Sequence, residues 1–315
     1  MLGGPQSPVK VPPEMRQITR PNSFIYTLMG DLVRYYGGEI WVGSLTRLMA
    51  EFRLSEQAVR QAVSRMSRQG WITARKVGNR SYYAMTERGV ERVERVSRRI
   101  YLLPENSWDG KWRMLAYTIP ERLRNGRDRL RKDLTLLGFA PLSSSLFISP
   151  RDSLDAARDA AQAHELTGYI DLFLSESRGP HGDRHIIERC WDLGAIAREY
   201  GEFILTYEQR LAELRANHVE DAQAFVEREW LVHDFRKFVY RDPGLPASLL
   251  AEDWPARRAG MLFREVYEVL KPQALRFFES VFELAPDREP LPRKRENPFD
   301  TLLVPGDRTP QGRNS

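Results

Sequence analysis

The chain has 315 residues, too many for one ordinary compact domain, so two or three domains are expected. With 42% hydrophobic and 29% charged residues it has a globular composition; it contains no run of about 18 apolar residues that would span a membrane. A single cysteine, Cys190, excludes an internal disulfide framework and an all-cysteine metal site, and the first twenty residues lack an apolar secretion core, so a cytoplasmic protein is expected.

The net charge of +5 is unevenly spread. Between Ser44 and Arg99 thirteen lysines and arginines face only five glutamates, which leaves the remainder slightly negative. A basic segment on a weakly acidic body is the pattern of a nucleic-acid-binding module joined to something else. A solvated surface whose charges balance in space has the same composition, so motifs must decide.

In chain order, the proline-bearing stretch 1–20 reads as a disordered tail. Ser23 is placed to cap a helix from Phe24 to Tyr36, ended by Gly37-Gly38, and Glu39–Val42 reads as a short strand. Ser44 opens a second helix that ends near Arg53, and Ser55 caps a third that runs to Arg68 and stops at Gly70. Two β-compatible runs, Trp71–Lys76 and Ser81–Met85, flank a Gly78-Asn79 turn. Thr86 begins a basic helix to Ile100, and Leu102–Ser107 reads as a linker.

The third helix carries the functional signal. Ala58, Val59, Ala62, Val63 and Met66 recur at helical spacing on an inward face, leaving Gln57, Arg60, Gln61, Ser64, Arg65 and Arg68 outside. Glutamine and arginine offer paired donors and acceptors that match base edges, and such a helix fits the major groove. The short helix before it completes a helix-turn-helix. The hairpin after it is a wing whose basic tip, with Arg75, Lys76, Asn79 and Arg80, can reach phosphates or the minor groove, Arg75, Lys76 and Arg80 mainly gripping the backbone. Taken singly, each of these elements is matched by an ordinary solvated helix or turn; together and in this order they point to double-stranded DNA. Arg60 and Gln61 are expected to read bases.

The middle segment reads strand, helix, two strands, helix, strand: Trp112–Ile119, a helix through Leu123–Leu137, Ala140–Leu142, Leu146–Ile148, Asp152–His164 and Tyr169–Leu174. That order is ferredoxin-like. Beyond the Gly179–Gly182 break the periodicity is helical, over Ile186–Tyr200, Phe203–Asn217, Ala222–Tyr240 and Pro255–Phe282. From 285 onward recurrent prolines suggest a disordered tail.

Several separated segments resemble the phenylacetate-degradation repressors, the PaaX family. They are Ser55–Met66, Gly70-Trp71-Ile72, Trp108–Pro120, Leu137-Gly138-Phe139, Ser149-Pro150, Cys190–Leu193, Arg241-Asp242-Pro243 and Leu245-Pro246. The resemblance runs from about Pro21 to Leu284. It implies an α+β multidomain chain: a winged helix-turn-helix (21–103), a ferredoxin-like domain for dimerisation or docking (108–178) and an all-α effector or dimerisation domain (183–284). It also implies a repressor of an aromatic-acid catabolic operon, released by an aryl-acyl-CoA such as phenylacetyl-CoA.

A CoA thioester needs cations for its phosphates and an apolar slot for its acyl end. Trp191, Arg198, Trp230, His233, Arg236 and Lys237 are candidates for that task; the alternative is helix packing with basic side chains snorkelled to solvent. A homodimer is expected, since symmetric repressors read paired half-sites. No catalytic residue, metal or cofactor is expected.

Two other functions stay open. The middle segment also looks like small CRISPR-associated nucleases of ferredoxin-like fold, but Thr118 stands where those place a metal-binding aspartate, and Asp128 more naturally pairs with nearby arginines. The winged helix could instead serve an adaptor that binds protein or RNA. His181, Asp183 and His185 have the spacing of a helical metal site but adjoin Pro180 and Gly182, which favours a polar loop. Cys190 is expected to be a structural thiol.

Overall fold

The computed structural model describes residues 16–101 and 108–288, which form two compact units. The expected tails, except 16–20 and 285–288, and the expected linker lie outside the described residues. The fold is α+β. Among the described residues, unit 1 comprises 16–101, 206–234 and 263–288, and unit 2 comprises 108–205 and 235–262, so the C-terminal helices divide their residues between the two.

Unit 1 begins with α1 (Pro21–Asp31), β1 (Glu39–Trp41), α2 (Val42–Ala50) and α3 (Glu56–Arg68). Strands β2 (Ile72–Val77) and β3 (Arg80–Met85) follow, then α4 (Glu87–Tyr101). Proline at the first helical position starts α1, with Arg20 at the cap and no side-chain cap; the expected Ser23 cap does not form. Helix α2 opens two residues before the expected Ser44. That serine is buried, donating through Oγ to the Val281 carbonyl (2.9 Å) and accepting from the Glu283 amide (3.1 Å). Ser55 does cap α3, its Oγ accepting from the Ala58 amide at 3.2 Å. Gly70, at φ 72°, closes α3 in the left-handed region that favours glycine.

The three strands form an antiparallel sheet in the order β1-β3-β2. Strand alternation divides its two faces. Ile40 and Ile72 are buried toward α2 and α3, whereas Glu39, Trp41, Thr73, Arg75, Arg80 and Tyr82 share the opposite face.

Part of α8 (Leu193–Ala216), α9 (Asp221–Arg241) and α10 (Ala256–Val281) completes unit 1. Here a fully enclosed ionic cluster forms: Arg228 pairs with Asp31 at 2.7 Å and donates to the Tyr267 hydroxyl at 2.5 Å, which donates to Asp31 at 3.0 Å. Burial, and then the neighbouring Asp31 charge, push the Glu229 carboxyl well above the usual range, against the opposing effect of Arg228.

Unit 2 holds β4 (Trp112–Tyr117), α5 (Arg124–Leu136), β5 (Ala140–Pro141), β6 (Leu146–Ser149), α6 (Leu154–Ala163), β7 (Ile170–Ser175) and α7 (Gly182–Cys190). Its sheet is antiparallel with order β5-β6-β4-β7. One face carries Leu115, Tyr117 and Phe147 against Leu130, Leu134, Ala157 and Ala161. The other carries Trp112 and Ile148 against Ile187, Cys190, Trp191 and Leu245. The expected helix 186–200 is broken: α7 ends at Cys190, and α8 runs from Leu193 through the stretch assigned to the next helix. Pro272 lies within α10 without ending it. No helix among the described residues is long and apolar enough to cross a membrane.

Candidate nucleic-acid interface

Helix α3 buries Val59, Ala62, Val63 and Met66 and leaves Glu56, Gln57, Arg60, Gln61, Ser64 and Arg68 exposed. With Arg65 these line a shallow strip along its outer side. Arg60 is paired with Glu56 one turn earlier at 2.7 Å, but both side chains are about 60% exposed. A pair that open contributes only about 0.3–0.5 kcal/mol, so a base or phosphate can displace it readily. Arg65 is half-buried and donates to the Asn22 side chain of α1 at 3.1 Å. Among the described residues, the side chains of Gln57, Gln61, Ser64 and Arg68 make no hydrogen bond or ion pair, and their polar atoms stand ready for an incoming ligand.

The hairpin separates its basic residues by alternation. Lys76 has the parity of Ile72, exposed and without an ion pair among the described residues; Asn79 is exposed at the tip. Arg75 and Arg80 have the opposite parity and are already engaged. Arg75 binds Glu39 through two nitrogens, one at 2.7 Å, and Asp287 at 2.6 Å. Arg80 pairs with Glu283 at 2.5 Å and lies 4.2 Å above the Trp41 ring. Arg47 also pairs with Glu283 at 2.5 Å.

These bonds hold the partner carboxyls low. Arg75 lowers Glu39 against the opposing effect of burial and also lowers Asp287; for Glu283, burial works upward but bonds from Arg80 and Arg47 outweigh it. Of the acidic partners, Asp287 falls where the sequence suggested a tail and Glu283 just before it. Ala285 between them is 2% exposed, a small buried residue with no helical period around it. One signal was available beforehand: counting from inward Ile72 puts Arg75 on the outer face.

The residues considered for an acyl-CoA fall in separate units. In unit 1, Trp230 is 4% exposed, edge-on to Phe24 at 4.8 Å, with the Arg16 guanidinium 3.9 Å over its ring. Arg16 also binds Asp234 at 2.7 and 2.8 Å. His233 Nδ1 lies 3.2 Å from the Thr27 hydroxyl. In unit 2, Trp191 stacks on Trp112 at 6.4 Å, Arg198 and Lys237 are exposed, and Arg236 is half-buried.

The other candidates have structural partners. Asp183 accepts from the Trp112 indole at 2.7 Å, and Asp128 lies 3.8 Å from both Arg124 and Arg127. The Thr118 amide donates to the Tyr169 carbonyl. Burial raises the Cys190 thiol pKa. Among the described residues no group of three or more His, Cys, Asp or Glu is arranged to hold a metal ion.

Among solved structures, an uncharacterized protein, Rv0674 from Mycobacterium tuberculosis, aligns with 82% of this chain and 99% of its own at a TM-score of 0.48 and 20% identity. Family models match along the sequence: PaaX-like protein over residues 20–89, the PaaX protein central Cas2-like domain over 105–187 and the PaaX-like protein C-terminal domain over 191–280. The transcriptional repressor PaaX of Escherichia coli K12 is 30% identical over 282 residues, 86% of each chain. With three successive family models and a relative of this extent, the chain belongs to the PaaX family.

Proposed function

We propose that this protein is a DNA-binding transcriptional repressor. The observation that carries the reading is the outer strip of α3, where glutamines, a serine and arginines face solvent with most polar atoms unengaged. Helices α2 and α3 act as a helix-turn-helix, with β2 and β3 as the wing. The family relative, named a transcriptional repressor, supports the same role. Gln57, Arg60, Gln61, Ser64, Arg65 and Arg68 enter the major groove, while Lys76 and Asn79 reach the backbone. Arg75 and Arg80 are assigned chiefly to holding the segment around Glu283 and Asp287, because their guanidinium groups already have carboxylate partners.

The strand order of unit 2 supports a ferredoxin-like domain, which we assign to docking or dimerisation. Release by an aryl-acyl-CoA such as phenylacetyl-CoA is part of the proposal, and the effector must bind the DNA-incompetent arrangement more tightly.

Selection of bound fragments from genomic DNA, followed by binding titrations, tests the reading. A motif should emerge, Arg60→Ala should relax it at a cost of about 1–3 kcal/mol, and Lys76→Ala should weaken all sequences alike. Phenylacetyl-CoA, but neither phenylacetate nor CoA alone, should release the DNA. Enrichment of no motif would identify an adaptor instead.

A further inference from the structure

Among the described residues, four helices end in the same double hydrogen bond, and its chemistry is normally glycine's. In this closure the amide after the left-handed residue bonds back six positions and the left-handed residue's own amide bonds back four, counting both ends. After α3, Gly70 donates to Ser67 (2.9 Å) and Trp71 to Met66 (3.0 Å). After α5, Gly138 donates to Thr135 and Phe139 to Leu134. After α6 the left-handed residue is Glu165, at φ 58°. After α2 it is Arg53, at φ 59°, whose amide donates to Ala50 at 2.8 Å while Leu54 donates to Met49 at 3.2 Å.

A side chain at this position is strained, because its Cβ crowds the backbone in the left-handed region. Burial offers Arg53 no compensation, for the residue is exposed. Among the described residues its guanidinium has no carboxylate, carbonyl or aromatic partner. It occupies the turn between α2 and α3, two residues before the Ser55 cap. The neighbouring cations Arg47 and Arg60 are both paired, with Glu283 and Glu56.

We propose that Arg53 is a DNA phosphate contact: the left-handed closure projects an unpaired guanidinium from the helix-to-helix turn toward the backbone beside the groove that α3 enters. The inference rests on the reading of α3 as the DNA-reading helix. It names a contact outside both that helix and the wing, and one that carries affinity without sequence information.

The test uses the full-length protein and a random-sequence duplex of about 30 base pairs, titrated across salt, with melting followed in parallel. Losing one phosphate contact removes about 0.9 from the logarithmic salt slope, which at 0.1 M salt is roughly an 8-fold loss of affinity. Arg53→Gln should show that loss with an unchanged Tm, because charge goes and strain stays. Arg53→Lys should retain binding. Arg53→Gly should lose binding yet melt a few degrees higher, about 2–4 °C, because glycine relieves the turn. Glu165→Gly relieves the same closure in unit 2 and should leave DNA affinity untouched. Wild-type affinity and slope in Arg53→Gln would overturn the assignment while leaving the α3 reading intact. Absence of DNA binding by the wild-type protein would overturn both.

Discussion

Replacing Arg228 by methionine tests whether the enclosed ionic cluster holds unit 1 together. Arg228 and Asp31 have side-chain exposures of 3% and 1%, lie 2.7 Å apart, and are tied together by the Tyr267 hydroxyl. Methionine fills much of the arginine's apolar volume, so the change removes charge more than packing. What remains is Asp31 out of contact with water, beside Glu229 and without its cation. Breaking a buried pair in this way costs about 3–5 kcal/mol, because the surviving charge stays desolvated. At about 2–4 °C per kcal/mol for a unit of this size, Tm should fall by roughly 6–20 °C.

Denaturant unfolding followed by tryptophan fluorescence reads the change, since Trp230 is buried in the same unit. Adding Asp31→Asn should recover about 2 kcal/mol, since neutral asparagine no longer needs the cation. Stability of Arg228→Met within about 1 kcal/mol of wild type would refute the reasoning, for it would mean that water reaches Asp31.

Two further outcomes follow from single side chains. Ser55→Ala removes the cap bond to Ala58 and should cost about 1 kcal/mol in unfolding free energy, with a smaller loss of DNA affinity as the first turn of α3 frays. Glu229→Gln should change the pH dependence of Tm. The folded-state value of Glu229 is raised, so its contribution is fully present below pH about 4.5 and declines as pH rises toward the folded value. The amide variant keeps the shape without the titration and should gain on wild type as pH rises from about 4.5 toward neutrality. Parallel melting curves for the two proteins across that range would count against a buried protonated carboxyl.

Helix α3 was legible because a 13-residue amphipathic pattern between a serine cap and a stop glycine follows local rules. The hairpin was legible from Gly78-Asn79, and the strand-helix alternation of unit 2 from its changing period. Partners distant in sequence were not legible. Nothing near Arg75 marks Asp287 as its partner 212 residues away, and nothing near Ser44 marks Val281. Trp230 and His233 read as candidate ligand contacts because aromatic and basic residues alternate there; Phe24 and Thr27, which meet them, lie two hundred positions earlier. The end of α2 near Arg53 was legible but its left-handed closure was not, because such closures are anticipated from glycine and an arginine there carries no composition signal.

Because unit 1 draws on three separated stretches, it has a timetable during synthesis. The Asp31 carboxylate and the buried Ser44 hydroxyl emerge early, yet Arg228, Tyr267 and Val281 follow 197 to 237 residues later. At about 5–20 residues per second, that is an interval on the order of 10–50 s in which the early segment lacks its closing partners. Unit 2, whose sheet comes from residues 112–175, has its strands available first. A nascent chain halted before α10 should therefore show a protease-sensitive α3 and an already resistant unit 2 sheet, so that DNA-binding competence arrives only once α10 has left the ribosome.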